Sequence, residues 1–238
     1  MISHDNIGNT NNNSNTSNMK IKNIFAITFM ASVLTSCDEH EVEDYSWNAW
    51  QPGMVYATNG EVSSFDKCMA DGNTPEAVLF YVDRNGETDA IAYAVTLMDC
   101  STAAFSDPDT TYIAQNTSAD YTTLDGETNT TTLRYGTIES PIAQQVQPRY
   151  FIPSVAEMYK LYAARSVVND VILRCGGTSL PLDDEDCWYW TSTECAEQQT
   201  DRAWRFSLYS GRFESADKHS KFATRPIMKI RLNKAEQK

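Results

Sequence analysis

One segment of this chain carries both of its helix ends in the sequence, and most of the rest reads as strand and turn. Pro153-Ser154-Val155-Ala156-Glu157 is a Ser-x-x-Glu capping box, in which the serine hydroxyl and the glutamate carboxylate each satisfy a free backbone N–H. Met158, Leu161, Tyr162, Arg165, Val168, Ile172 and Cys175 follow at three- or four-residue spacing. Gly176-Gly177 stops the pattern where a left-handed residue is wanted. An isolated amphipathic helix of this kind buries its stripe against a sheet, so the expected class is α+β. A shorter helix is expected over Ser140 to Gln147, where the apolar spacing is weaker.

Apolar runs supply the sheet. Met54-Val55-Tyr56 leads into the turn signal Asn59-Gly60. Ala77 to Val82 and Ile91 to Leu97 flank Asn85-Gly86 and predict a hairpin of two well-buried strands. Trp204, Phe206 and Leu208 alternate with Arg205, Ser207 and Tyr209, giving a buried aromatic face, and Ser210-Gly211 turns the chain back into Arg212-Phe213-Glu214. Ala223 to Ile230 reads as one closing strand, with Pro226 at an edge or a bulge. Residues 101–140 are rich in Thr, Ser, Asp and Asn and read as a long surface excursion. Together with the loop from Ala216 to Lys221, this excursion is the best candidate binding surface.

The N-terminus stands apart from the fold. Residues 1–18 are Asn-rich, either an over-extended start or a disordered leader. Residues 19–36 carry Lys20 and Lys22, then an apolar run from Ile24 to Leu34, shorter than the about 20 residues a membrane span needs. The segment ends in Leu34-Thr35-Ser36-Cys37, which resembles a bacterial lipobox. The expectation is a signal peptide removed before Cys37, whose thiol is lipidated. Residues 37–48 form an acidic tether whose start, Asp38-Glu39-His40-Glu41, is similar to the export signal of surface lipoproteins of the Bacteroidetes group. That implies an anchor in the outer membrane through the lipid on Cys37, with the protein facing outward. Residues 49–232 then form a single domain.

Charge and residue types narrow the chemistry. With 19 basic against 32 acidic residues and a formal net charge of -13, nucleic acid is not an expected partner. Arg205, Arg212, Lys218 and Lys221 cluster closely enough to make a local basic face. Five cysteines remain after Cys37, an odd count that leaves at least one thiol free. Their connectivity is open, with Cys187 and Cys195 a candidate disulfide. No spacing is CxxC, and Asp183-Asp184-Glu185-Asp186 lacks the spaced pattern of a calcium loop, so no metal and no cofactor is expected. Trp188-Tyr189-Trp190-Thr191-Ser192-Thr193-Glu194 sets three hydroxyls beside an acid. A hydroxyl nucleophile needs a base, and after Cys37 the histidines are His40 and His219. No Gly-x-Ser-x-Gly elbow surrounds Ser192. The hydroxyls are read as turn residues bonding the backbone, and no catalytic residue is assigned.

Taken in order, five motifs carry a family resemblance. They are Asp125-Gly126-Glu127-Thr128-Asn129-Thr130; Phe151-Ile152-Pro153-Ser154 with Glu157-Met158; Tyr189-Trp190-Thr191-Ser192-Thr193-Glu194; Ala203-Trp204-Arg205-Phe206 with Gly211; and Arg225-Pro226-Ile227. Over about residues 120–232 the chain resembles the Lcl C-terminal domain family of bacterial surface proteins, and residues 50–100 resemble the strands that precede it in Bacteroidetes lipoproteins. It departs where the family has tryptophan before its Leu-Pro-Ser, since Arg149-Tyr150-Phe151 stands there, and the first helix lacks a frequent cysteine. The resemblance implies a C-type lectin-like fold: a mixed, mostly antiparallel sheet with one long and one short helix and long loops. It makes Trp190 and Trp204 core anchors of neighbouring strands and Thr191 to Glu194 the corner between them. It implies a non-catalytic adhesin or binding module for an extracellular glycan or surface polymer. The Glu-Pro-Asn triplet of calcium lectins is missing, so calcium-dependent sugar binding does not carry over. Two alternatives remain. One is an enzyme on the distantly related fold of the formylglycine-generating enzymes, which use paired cysteines that Cys187 and Cys195 would mimic. The other is a subunit of a surface appendage.

Overall fold

The computed structural model describes residues 50–85 and 89–233. The leader, signal peptide, lipidation site at Cys37, acidic tether and hairpin tip at Gly86 expected from the sequence therefore lie outside the described residues. Those described fall within one compact unit, Glu43–Lys238. The fold is α+β. In chain order it runs β1 (Val55–Ala57), β2 (Val62–Ser63), α1 (Phe65–Ala70), β3 (Pro75–Asn85), β4 (Asp89–Thr96), β5 (Cys100–Ala104), α2 (Gly126–Tyr135), α3 (Pro141–Gln144) and α4 (Val155–Arg174). There follow β6 (Tyr189–Glu194), a 3₁₀ turn at Ala196–Gln198, β7 (Arg202–Phe206), β8 (Phe213–Asp217), β9 (Lys221–Thr224) and β10 (Ile227–Asn233).

The described strands make two five-stranded sheets rather than one. The first, in the order β10-β4-β3-β1-β2, is antiparallel throughout. The second, β5-β9-β6-β7-β8, contains one parallel pair, β6 with β9. The long apolar runs of β3 and β4 follow from burial on both faces. Val78, Phe80, Tyr93 and Val95 join the core under α4, while Ala77, Leu79, Ala92 and Ala94 face a separate cluster with Trp50, Met54 and Met228.

The expected closing strand from Ala223 to Ile230 is two strands in different sheets. The break falls at Arg225-Pro226, where a proline has no N–H to give a ladder. Arg225 is fully buried and holds the crossing point. Its guanidinium donates to the carbonyls of Thr96 (3.0 Å), Leu97 (2.9 Å) and Thr178 (3.0 Å) and to the Asp99 carboxylate (2.8 Å).

Among the described residues four α-helices form where one long and one short were expected. The capping box of α4 is present at Ser154 and Glu157, and Gly176, at φ 76°, follows its C-terminal end. The weaker helix shrinks to Pro141–Gln144. The supposed surface excursion contains most of β5 and all of α2, leaving residues 105–125 and 136–140 irregular. Helix α2 (GETNTTTLRY) escapes sequence reading because Thr131 and Thr132 return their hydroxyls to the carbonyls of Glu127 (2.9 Å) and Thr128 (3.1 Å), and its one large buried apolar side chain is Leu133. Packing against β6 and α3 overrides the weak propensity.

Candidate functional site

The motif residues converge on β6. Tyr189 and Trp190 point to opposite faces of the second sheet and anchor two different cores. Tyr189 joins the cluster beneath α4 and donates to Asp99 (3.0 Å). Trp190 sits edge-on to Phe105 and Phe222 and donates its indole N–H to the carbonyl of Ala103 (3.1 Å). Beyond it the pairing with β7 slips between Trp190 and Glu194, a bulge that frees Thr191, Ser192 and Thr193 to serve other elements. Thr191 donates to the carbonyl of Trp204 (2.7 Å), the Ser192 N–H bonds the carbonyl of Pro153 (2.9 Å), and the Thr193 hydroxyl accepts from the Val155 N–H (3.3 Å). The Thr191 and Thr193 hydroxyls bond the backbone as expected, but within a strand, while the Ser192 hydroxyl is buried without a partner. The corner before β7 is Cys195 to Asp201 instead.

A buried ion pair closes the far end of β6. Glu194 and Lys218 are both fully buried and joined Oε1 to Nζ. The Glu194 carboxylate also accepts the backbone N–H of Gln115 (2.8 Å) and of Thr117 (2.8 Å) and the Thr117 hydroxyl (3.1 Å). Lys218 donates in addition to the carbonyls of Gln199 (2.6 Å) and Ile113 (3.2 Å). The pair thus clamps residues 113–117 onto the second sheet. Asn116, between the two gripped N–H groups, has φ 63°.

The other motifs build the corner between α2 and α4. Thr130 accepts from the Ile152 N–H (2.8 Å), Asn129 accepts from the Ser118 N–H (2.8 Å), and Ser154 donates to the Thr123 carbonyl (2.8 Å). Gly126 allows this approach: a Cβ there would lie 2.6 Å from the Ile152 carbonyl oxygen and closer still to the Glu157 carboxylate. Burial pushes the Glu157 carboxyl up to about 7, against the lowering effect of its bond from the Ser154 N–H.

Several expected placements change. Trp204 is half-buried rather than a fully buried anchor: it lies on the same face of β7 as Phe206, packed on the edge of the core beneath α4 with Tyr121 and Phe213 beside it. Gly211 (φ 73°) lies in the turn from β7 to β8. Cys187 and Cys195 are both free thiols. Trp188 and the six residues of β6 separate them, the strand alone spanning about 20 Å at about 3.3 Å per residue, and a disulfide needs Cα atoms within about 7 Å. The basic face does not assemble either: Lys218 is buried against Glu194, and Arg205 and Arg212 both pair with Glu214.

Two clefts open on the described surface. One, of about 410 Å³, lies between the clamped segment and the C-terminal half of α2, lined by Gln115, Asn116, Thr131, Thr132, Tyr135 and Thr137 among others. Tyr135 is 76% exposed, whereas Gln115 is 6% exposed and neither polar atom of its side-chain amide has a partner. The second, of about 320 Å³, lies beside Glu76, Met98, Cys100 and Tyr150, where Tyr150 and Arg149 bind one oxygen of Glu76. Gln115, Asn116 and Tyr135 carry no motif or periodic signal: a carboxylate far along the chain places the first two, and Tyr135 is the last residue of α2. No family model and no curated protein matches this chain.

Proposed function

We propose that this chain is a lipid-anchored, outward-facing binding module of the cell envelope, built on a C-type lectin-like domain that resembles Lcl C-terminal domains and acting without catalysis. The observation that carries this reading is the clamp on residues 113–117. A buried carboxylate and ammonium, the costliest groups to desolvate, are both committed to holding an irregular surface segment rigid. Binding residues on loops need such a rigid support.

The local chemistry favours the same reading. Ser192 is fully buried, and none of the hydrogen bonds of Thr191 or Thr193 goes to a side-chain base. Burial pushes the Cys195 thiol up to about 12 and raises that of Cys187, the opposite of what an activated sulfur nucleophile requires. Among the described residues no helix is long and apolar enough to cross a membrane, so membrane attachment in this reading rests on Cys37.

The test is twofold. Cys37→Ala should move the protein out of the membrane fraction or block its processing, and protease added to intact cells should reach the anchored wild type. An unchanged mass and membrane association of the variant would overturn the anchor. Turnover in a hydrolase and oxidase panel that disappears in Cys187→Ser or Cys195→Ser would overturn the non-catalytic reading.

A further inference from the structure

The cleft between the clamped segment and α2 is more specifically built than a binding module requires. Its nine lining residues, Ala114 to Asn116, Thr131, Thr132 and Tyr135 to Ile138, include no charged side chain, on a chain whose net charge is -13. A cleft left without charge on such a surface suits an uncharged ligand. Its volume falls in the range of about 300–1,000 Å³ that small-molecule sites occupy.

Asn116 stands on the rim in a left-handed conformation, the only non-glycine residue with positive φ among those described. Asparagine tolerates this better than most residues, yet it still has to be held there. The N–H groups on either side of it both end on the buried Glu194 carboxylate. Gln199 donates to the Thr117 carbonyl (3.2 Å), and Asn129 accepts the next N–H, that of Ser118 (2.8 Å). Strain that is fixed from several sides at an exposed amide, beside a cleft, is the pattern of a pre-organised ligand contact. Across the cleft Tyr135 offers an aromatic ring that is three-quarters exposed. The Gln115 amide lies unpaired in the wall.

An exposed ring beside primary amides, with no charged side chain in the lining, matches one ligand class. The ring stacks on the C–H face of a sugar, and amides both donate to and accept from its hydroxyls. We propose that this cleft binds a neutral mono- or disaccharide unit of a larger glycan, with Asn116 and Tyr135 as its contacts. The proposal deepens the binding-module reading and rests on it.

The full chain, purified in detergent, is tested on an array of glucose-, galactose-, mannose- and N-acetylhexosamine-terminated oligosaccharides, with sialylated and sulfated glycans alongside. Binding to at least one neutral glycan is expected. Asn116→Gly, which suits φ 63° while removing the amide, and Tyr135→Ala should each weaken that binding tenfold or more with melting temperatures unchanged or raised. Neutral-glycan binding that both variants retain would put the ligand elsewhere and leave the binding-module reading standing. Binding confined to anionic glycans, or to no glycan, would overturn the ligand class assigned here. The non-catalytic and anchor readings fail on the separate turnover and fractionation tests, so the two failures cannot be confused.

Discussion

The two sheets are held by different physics. On the first, β3 and β4 bury aliphatic and aromatic side chains on both faces, and the one buried polar residue on its described strands is Ser63. On the second, β6 alone buries Thr191, Ser192, Thr193 and Glu194, and Thr224, Arg225 and Lys218 are buried on or next to β9 and β8. The first sheet gains stability by removing apolar area from water, which needs no particular partner. The second buries groups that are costly unless paired, and the pairings of Glu194, Lys218 and most of those of Arg225 reach out to segments that have no regular structure of their own. Both sheets contribute core side chains, and the second also holds the surface in place.

The largest test of that contrast is to break the clamp. Glu194→Gln leaves the Lys218 ammonium buried without its counter-charge and should cost about 3–5 kcal/mol in chemical denaturation. Leu79→Ala in the first sheet should cost a comparable amount, about 2–5 kcal/mol, through a cavity. Limited proteolysis separates the two: only the Glu194 variant should become cleavable within residues 105–125 at temperatures well below its midpoint. Replacing the whole pair, Glu194→Leu with Lys218→Met, should still cost about 1–3 kcal/mol for each of the Gln115 and Thr117 N–H groups left unpaired. Wild-type stability in that double variant would erase the distinction between the sheets.

The tryptophans sharpen it next. Trp190, fully buried with its N–H paired, should cost about 3–5 kcal/mol on truncation to Ala. Trp204 is half-buried and its indole N–H has no partner, so Trp204→Ala should cost less, about 1–3 kcal/mol. Equal losses would mean that the aromatic surface of β7 and β8 is as essential as the interior.

Glu157 gives the pH dependence. Its folded carboxyl titrates near 7, above the ordinary value, so the native state holds the proton more tightly than the unfolded chain. The stability this contributes is full below about pH 4.5 and is lost as pH rises through about 7. Each tenfold change in proton affinity is worth about 1.4 kcal/mol, which makes the loss on the order of 3 kcal/mol. Glu157→Gln keeps an acceptor for the Ser154 N–H but cannot titrate, so the wild type should lose that amount relative to the variant between about pH 4.5 and 7. Parallel stability profiles would show that the native carboxylate is already ionised at the lower pH.

How much of this could be read beforehand also divides between the sheets. The hairpin of β3 and β4 and the helix α4 were legible because burial alone writes a pattern: a continuous apolar run, or one every three to four residues. The crossing at Arg225-Pro226 was not, because a four-bond guanidinium looks in sequence like any surface arginine beside a proline. Lys218 misled in the same way, reading as part of a basic face when its partner Glu194 lies across the sheet. Asn116 and Gln115 left no trace, since their geometry is imposed by distant side chains and not by neighbours. The motifs themselves could be found, but what they hold could not.

The smallest predicted effect is the one most specific to that lesson. Thr191, Ser192 and Thr193 look equivalent in sequence, and all three are fully buried. Thr191 and Thr193 hydroxyls bond the Trp204 carbonyl and the Val155 N–H, whereas the Ser192 hydroxyl is buried with no partner. Removing a paired group strands its partner; removing an unpaired one strands nothing. Thr193→Val should therefore cost about 1–3 kcal/mol, since it leaves the first N–H of α4 without that acceptor. Ser192→Ala should change stability by less than about 1 kcal/mol, with stabilisation the expected sign because the desolvated hydroxyl is gone. A loss of several kcal/mol in Ser192→Ala would reveal a partner for this hydroxyl, and the polar groups of β6 would then be uniformly committed to the scaffold.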